Sequence, residues 1–155
     1  EMLETGRGRA LDKGITQGPD WICGNAEALP FADSGADAYV TAFCLRNVTD
    51  LAAALARHSG GPVLVDCLTL WLANIMAAGR DVDAALDVLT NCLQGLAGPV
   101  VLVSNEVGQG IVPDNALARS YMDHAGRMNQ RIAAAAHRVV LVQAGLPQIL
   151  KDDTT

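Results

Sequence analysis

Lysine is scarce in this chain of 155 residues: Lys13 and Lys151 are the only two. Neither stands in a glycine-rich turn after a strand, and no GxxxxGK[ST] phosphate cradle occurs in the sequence. "GQGIVP" fails as a dinucleotide fingerprint because Pro113 takes the third-glycine position, and "GRGRAL" has no strand before it. No loop here is built to surround a triphosphate or a dinucleotide. Paired cysteines are lacking too. Cys23, Cys44, Cys67 and Cys92 are isolated, and His58, His124 and His137 fall in no ligand spacing, which argues against zinc. Single buried thiols in a reducing cytosol are expected instead. Basic clusters are missing as well: the formal charge is −6 and the 11 Lys and Arg are scattered, so no nucleic-acid partner is expected. The longest apolar stretch, "CLTLWLANIMAAG", is broken by Asn74 and too short to span a bilayer, so no membrane partner is expected. The opening "EMLETGRGR" has no apolar core of a signal peptide, which points to a cytoplasmic location. Glu1, where an initiator methionine would stand, is expected of a trimmed or made start.

What is present is a chain that should fold. Half the residues are apolar and 18% are charged, the composition of a globular domain with a real core. The pattern alternates strand and helix. Leu3, Arg7, Ala10 and Leu11 fit a short helix that Gly14 could end. "DWICGNA" and "ADAYVTAFCL" read as strands. Thr49 or Asp50 can cap a helix through "LAAALARH". "PVLVDCL" is a short apolar strand, with a helix from about Leu68. After Asp81, the residues Val82, Ala85, Leu86, Leu89, Leu93 and Leu96 recur at helical spacing. "PVVLVSNE" is another apolar strand. Pro113-Asp114 opens a long helix whose stripe runs Leu117, Tyr121, Ala125, Met128, Ile132 and Ala135. "RVVLVQA" reads as the last strand and "KDDTT" as a loose tail.

Strands that are apolar throughout, rather than alternating, are expected to be buried on both faces. The expectation is therefore one doubly wound α/β domain over residues 1–151, with a tail over 152–155. It has a mostly parallel sheet of about five strands and helices on both faces. Ligands of such sheets bind at the carboxyl ends of the strands. Asn25, Arg46 with Asn47, Asp66, the run Ser104-Asn105-Glu106, and Gln143 stand there. Asp66 is the sharpest of these. An acid at the end of a hydrophobic strand suits Mg²⁺, a hard cation that takes carboxylate oxygen. Asp is also a preferred helix cap, and the sequence leaves both roles open. Glu106 can serve as base or metal ligand, or as a solvated loop acid. Arg127 and Asn129 are expected on a solvated helix face, and Met2 and Met128 in packing.

Two resemblances divide the chain. "EMLETGRGRALDKG", "WICGNAEALPFAD" and "DAYVTAFCLRNVTD", within residues 1–50, resemble the ubiquinone/menaquinone C-methyltransferases. "LAAALARH", "PVLVDCLTLWLANIM", "LVSNEVGQGIVPDNALAR", "AGRMNQRIAAAA" and "VVLVQAGLPQILK", within residues 51–151, resemble the bifunctional adenosylcobinamide kinase / adenosylcobinamide-phosphate guanylyltransferases of vitamin B12 biosynthesis. Both families carry a helix of the form D-hydrophobic-x-x-A-L at the join. The first resemblance implies that Met2, Asn25 and Ala26 line the adenine side of an S-adenosylmethionine site. The second implies that Asp66, Ser104, Asn105 and Glu106 are the remnant of a Mg²⁺-nucleotide site. The methyltransferase glycine loop, the phosphate loop and the guanylyl-accepting histidine all fall outside the matching stretches. On this basis the sequence reads as a hybrid α/β scaffold, engineered or recombined, without the activity of either parent. No resident cofactor is expected beyond residual binding of Mg²⁺ with GTP or ATP, or of S-adenosylmethionine. Uncovered strand edges point to a homodimer or a domain swap. The alternatives are a nucleotide-dependent cobinamide kinase/guanylyltransferase whose phosphate loop another chain supplies, and a methyltransferase fragment that binds S-adenosylmethionine.

Overall fold

The computed structural model describes residues 2–16, 39–42, 50–57 and 61–153. The expected strand "DWICGNA", with Asn25 and Ala26, lies outside them, as do Arg46, Asn47, Cys23 and Cys44. Helix α1 spans Met2–Asp12 and closes at Gly14, whose φ of 74° is one that glycine adopts without a Cβ clash. The Ile15 amide reaches back to the Ala10 carbonyl at 2.9 Å and the Gly14 amide to Leu11 at 2.9 Å, satisfying the last turn.

Three short strands follow at intervals: β1 (Tyr39–Ala42), β2 (Val63–Asp66) and β3 (Val100–Val103). They pair in parallel in chain order, with Ala42 beside Asp66 and Asp66 beside Val103. Their carboxyl ends are thus flush, and everything that follows Asp66 and Val103 emerges at one edge. The connections are helical, as parallel pairing requires. Helix α2 (Leu51–Arg57) joins β1 to β2, and α3 (Leu68–Ala77) with α4 (Val82–Gln94) joins β2 to β3. Asp50 caps α2 by accepting from the Ala53 amide at 2.9 Å, and Asp81 caps α4 by accepting from Ala84 at 3.0 Å. Helix α5 (Ala116–Ala135) is the longest, and its cap is Asn115, which accepts from Leu117 and Ala118. No helix among the described residues is long and apolar enough to cross a membrane.

The core is one cluster built from α2 to α5 and one side of the sheet. Leu55, Leu68, Leu72, Leu86, Leu89, Met128 and Val65 are fully buried within it, and Val63, Trp71 and Ala125 join them. Val63 and Val65 share a face, and their register partners Val100 and Leu102 pack on the same cluster. The other face carries Leu64, Asp66, Val101 and Val103, and there Val101 is 58% and Val103 37% exposed. The expectation of helices on both faces is therefore corrected: among the described residues the helical core packs on one face only. Apolar residues at every position of β3 misled the reading, because pattern alone does not reveal which face is covered.

The single five-strand sheet is corrected as well. The segment "RVVLVQ" forms β4 (Arg138–Gln143), which pairs antiparallel with a strand the sequence reading missed, β5 (Leu146–Asp152). Ala144 and Gly145, at φ 52° and 77°, make the tight connection that sends the chain back. Two consecutive left-handed residues are the geometry of a two-residue hairpin turn. Gln143 accordingly belongs to a hairpin, not to the parallel row, and Lys151 and Asp152 belong to a strand instead of a tail. Lys151 donates to the carbonyls of Ala133, Ala134 and Ala136, fixing the hairpin to the carboxyl end of α5, where a cation is favoured. Leu117, placed in the buried stripe by its spacing, is 70% exposed in the first turn of α5, while Ala125 and Met128 further along are buried as expected.

Candidate functional site

The carboxyl edge of the parallel sheet gathers the polar side chains. Asp66 ends β2 and is half-buried. The residue that caps α3 is Cys67, not Asp66, and no side chain caps that helix. The capping role left open by the sequence is thus removed. No hydrogen bond or ion pair to the Asp66 carboxylate occurs among the described residues. Its carboxylate oxygens are left to solvent or to a ligand.

Next to it, the segment leaving β3 is held from two sides. Asn105 Nδ2 donates to Thr69 Oγ1 at 2.8 Å, and Thr69 Oγ1 lies 2.9 Å from Cys67 Sγ. Thr69 is buried, and its carbonyl accepts from the Tyr121 hydroxyl at 3.0 Å. This set ties the loop to the first turn of α3 and to α5. Burial, and secondly the neighbouring Cys67, push the Tyr121 phenol up from its ordinary value, so it stays a neutral donor. On the other side, Ser104 Oγ donates to Asn129 Oδ1 at 2.6 Å. Asn129 Nδ2 donates to Glu106 Oε1 at 2.7 Å and to the Asn105 carbonyl at 3.2 Å.

The structure thus brings together Asp66, Ser104, Asn105 and Glu106 as the sequence placed them, and adds Thr69, Tyr121 and Asn129. Asn129 was assigned to a solvated face. It stands four residues after Ala125 and three before Ile132, beside the buried stripe, but a polar side chain at such a margin is equally at home in solvent. Arg127, by contrast, is exposed and contacts only His124 among the described residues. Met2 lies in α1, while Asn25 and Ala26 lie outside the described residues.

Residues 41–150 match the sequence profile of the family described as "Cobinamide kinase / cobinamide phosphate guanyltransferase". The chain belongs to that family. Residues 1–64 match a second profile, the ubiE/COQ5 methyltransferase family. The bifunctional adenosylcobalamin biosynthesis protein CobP of Pseudomonas aeruginosa is 44% identical over 98 residues, which are 62% of this chain and 57% of the relative. The corresponding CobU protein of Salmonella typhimurium is 39% identical over 122 residues, 68% of this chain and 66% of the relative. Over the amino-terminal part, the ubiquinone/menaquinone biosynthesis C-methyltransferase UbiE of Shewanella halifaxensis is 46% identical over 69 residues, 41% of this chain and 28% of the relative. The chain therefore spans a little over half to about two-thirds of the cobinamide kinase relatives, and under a third of the methyltransferase one.

Both resemblances read from the motifs are confirmed, and the two profiles overlap over residues 41–64, the stretch that contains α2. The reading of an engineered scaffold without activity is overturned. Most of the chain carries the sequence of the cobinamide kinase / guanyltransferase family, at identities that mark family membership. The candidate site, formed by Asp66 and the Ser104–Glu106 segment, falls wholly inside the matched residues.

Proposed function

We propose that the chain provides the Asp66 and Ser104–Glu106 side of the site of a nucleotide-dependent adenosylcobinamide kinase / adenosylcobinamide-phosphate guanylyltransferase. The observation that carries this reading is the half-buried Asp66 carboxylate. It neither caps α3 nor pairs with any described residue, and it stands one strand away from the clamped loop at the sheet's carboxyl edge. The family description, a cobinamide kinase and cobinamide phosphate guanyltransferase, supports a nucleotide and a cobinamide as the substrates of that edge.

A Mg²⁺ ion fits the donor chemistry. Mg²⁺ is held by one or two carboxylates together with substrate phosphates and water, not by an all-protein cage. Asp66 supplies one carboxylate, and among the described residues no three acidic, histidine or cysteine side chains converge. When bound, the ion would neutralise charge on the transferring phosphoryl group. The protein's part is positional. Asp66 fixes one point, while Ser104 and Glu106 present a hydroxyl and a carboxylate at fixed height above the sheet, where they can orient the accepting group or hold its proton. The amides and lysine of a phosphate-cradling loop are not among these 155 residues, so the complete site needs that loop from another segment or another chain.

Thermal unfolding with Mg²⁺ and GTP tests the reading. A ligand that binds the folded state raises the melting temperature with occupancy. A Mg²⁺-dependent rise of a few degrees is expected for the wild type and none for Asp66→Asn. Since Asp66 caps nothing, Asp66→Asn and Asp66→Ala without ligand should both melt close to the wild type, and the ~1 kcal/mol penalty of a lost cap should not appear. Equal ligand shifts in wild type and Asp66→Asn would refute the assignment.

A further inference from the structure

One flank of the loop after β3 is held by a single side chain on another element. Asn129, midway along α5, uses all its hydrogen-bonding capacity that faces the site. Its Oδ1 accepts from Ser104 Oγ at 2.6 Å, and its Nδ2 donates to Glu106 Oε1 at 2.7 Å and to the Asn105 carbonyl at 3.2 Å. A carboxylate and a carbonyl only accept, so the two hydrogens of Nδ2 must point at them and Oδ1 must face the hydroxyl. The amide therefore has a single orientation. Flipping it would set an oxygen against two acceptors.

No other side chain of this size satisfies the same three partners. Aspartate has no donor, leucine has neither donor nor acceptor, and glutamine is one methylene longer, which carries its amide away from these three partners. Three consecutive residues of the candidate site, Ser104, Asn105 and Glu106, are thus set in register by one amide. The opposite flank is held independently by the Asn105 side chain on Thr69.

We propose that Asn129 is a positioning residue: it fixes the Glu106 carboxylate and the Ser104 hydroxyl at the carboxyl edge of the sheet for the incoming nucleotide. The purpose of that fixing rests on the nucleotide reading given above. Groups that orient ligand-binding residues without touching the ligand are commonly worth about 10- to 100-fold in metal affinity or activity. Asn129 is the residue of this chain placed to do so.

The experiment combines melting temperature with calorimetric titration of Mg²⁺ and GTP on the full chain. The variants are Asn129→Ala, Asn129→Asp, Glu106→Gln, and the pair Asn129→Asp with Glu106→Gln. Asn129→Asp sets a carboxylate against Glu106 and should lower the melting temperature more than Asn129→Ala does. The paired variant restores a donor and an acceptor between positions 129 and 106, though not the bond to the Asn105 carbonyl, and should recover part of that loss. Additive effects, with no recovery in the pair, overturn the clamp. In the titration, Asn129→Ala should weaken Mg²⁺-GTP binding about 10- to 100-fold while melting within a few degrees of the wild type. The paired variant should regain part of its melting temperature but not its affinity, since the carboxylate is gone. Unchanged affinity in Asn129→Ala, or full affinity in the pair, overturns the positioning role. A wild type that fails to bind Mg²⁺-GTP refutes the nucleotide reading instead, and the clamp is then decided by the thermal coupling alone.

Discussion

Tyr121 and Cys92 link the core to pH. The Tyr121 hydroxyl donates to the Thr69 carbonyl, and burial raises its pKa above 10.0. The Cys92 thiol donates to the Ala52 carbonyl at 3.3 Å. Burial, and secondly the nearby Asp50, raise its pKa above 9.0. Both groups are acids that the folded chain keeps protonated more tightly than the unfolded chain does. Unfolding therefore releases protons at high pH, and stability falls as pH rises through these values. The urea midpoint should be level up to about pH 8 and decline above about pH 9. Tyr121→Phe, which cannot ionise, should flatten the upper part of that decline. A decline of the same steepness in Tyr121→Phe would mean that this phenol is not responsible.

At the level of elements, the β4–β5 hairpin contains its own test. Ala144 holds a φ of 52°, a left-handed conformation that costs an L-residue with a Cβ roughly 1 kcal/mol. Asn tolerates it, and Asn-Gly is the favoured pair for such a turn. Ala144→Asn should stabilise the chain by several tenths of a kcal/mol to ~1 kcal/mol, read from the urea midpoint, whereas Ala144→Val should destabilise it. The same turn shows where sequence reading ended. Helices whose buried residues recur at 3.6-residue spacing, such as Val82, Leu86 and Leu89 of α4, were legible, and Asp50 was one of the two cap candidates for α2. The hairpin was not, because its turn is Ala-Gly, without the Asn or Asp that announces the type, and β5 contains Pro147, which reads as a break. In the site, the Asp66 and Ser104–Glu106 positions were legible from their place after apolar strands. Asn129 was not, since a lone polar residue on a helix carries no sign of what lies across from it.

Across the molecule as a whole, apolar side chains of β3 and of the hairpin stand in water. On one face of the ribbon Val140 and Val142 stand with Pro147 and Ile149, and Val142 is 63% exposed. Val101 and Val103 are uncovered on the outer face of the sheet. Two-stranded ribbons are marginal alone in water, and exposed apolar faces seek cover. The isolated chain is expected to elute in light-scattering chromatography as a dimer or larger at micromolar concentration. Paired Val140→Thr and Ile149→Lys substitutions should shift it towards monomer, and a clean monomer of the unaltered chain at high concentration would count against this. The stretch where the two family profiles overlap has a different consequence. Helix α2 meets the rest of the fold through Leu51, Ala54 and Leu55, is started by Asp50, and lies inside the residues that both profiles match. A part with identical fittings can be exchanged between machines. A crossover inside α2 that kept Asp50, Leu51, Ala54 and Leu55 would keep the cap and the buried volume, and the elements after it would meet the same surface.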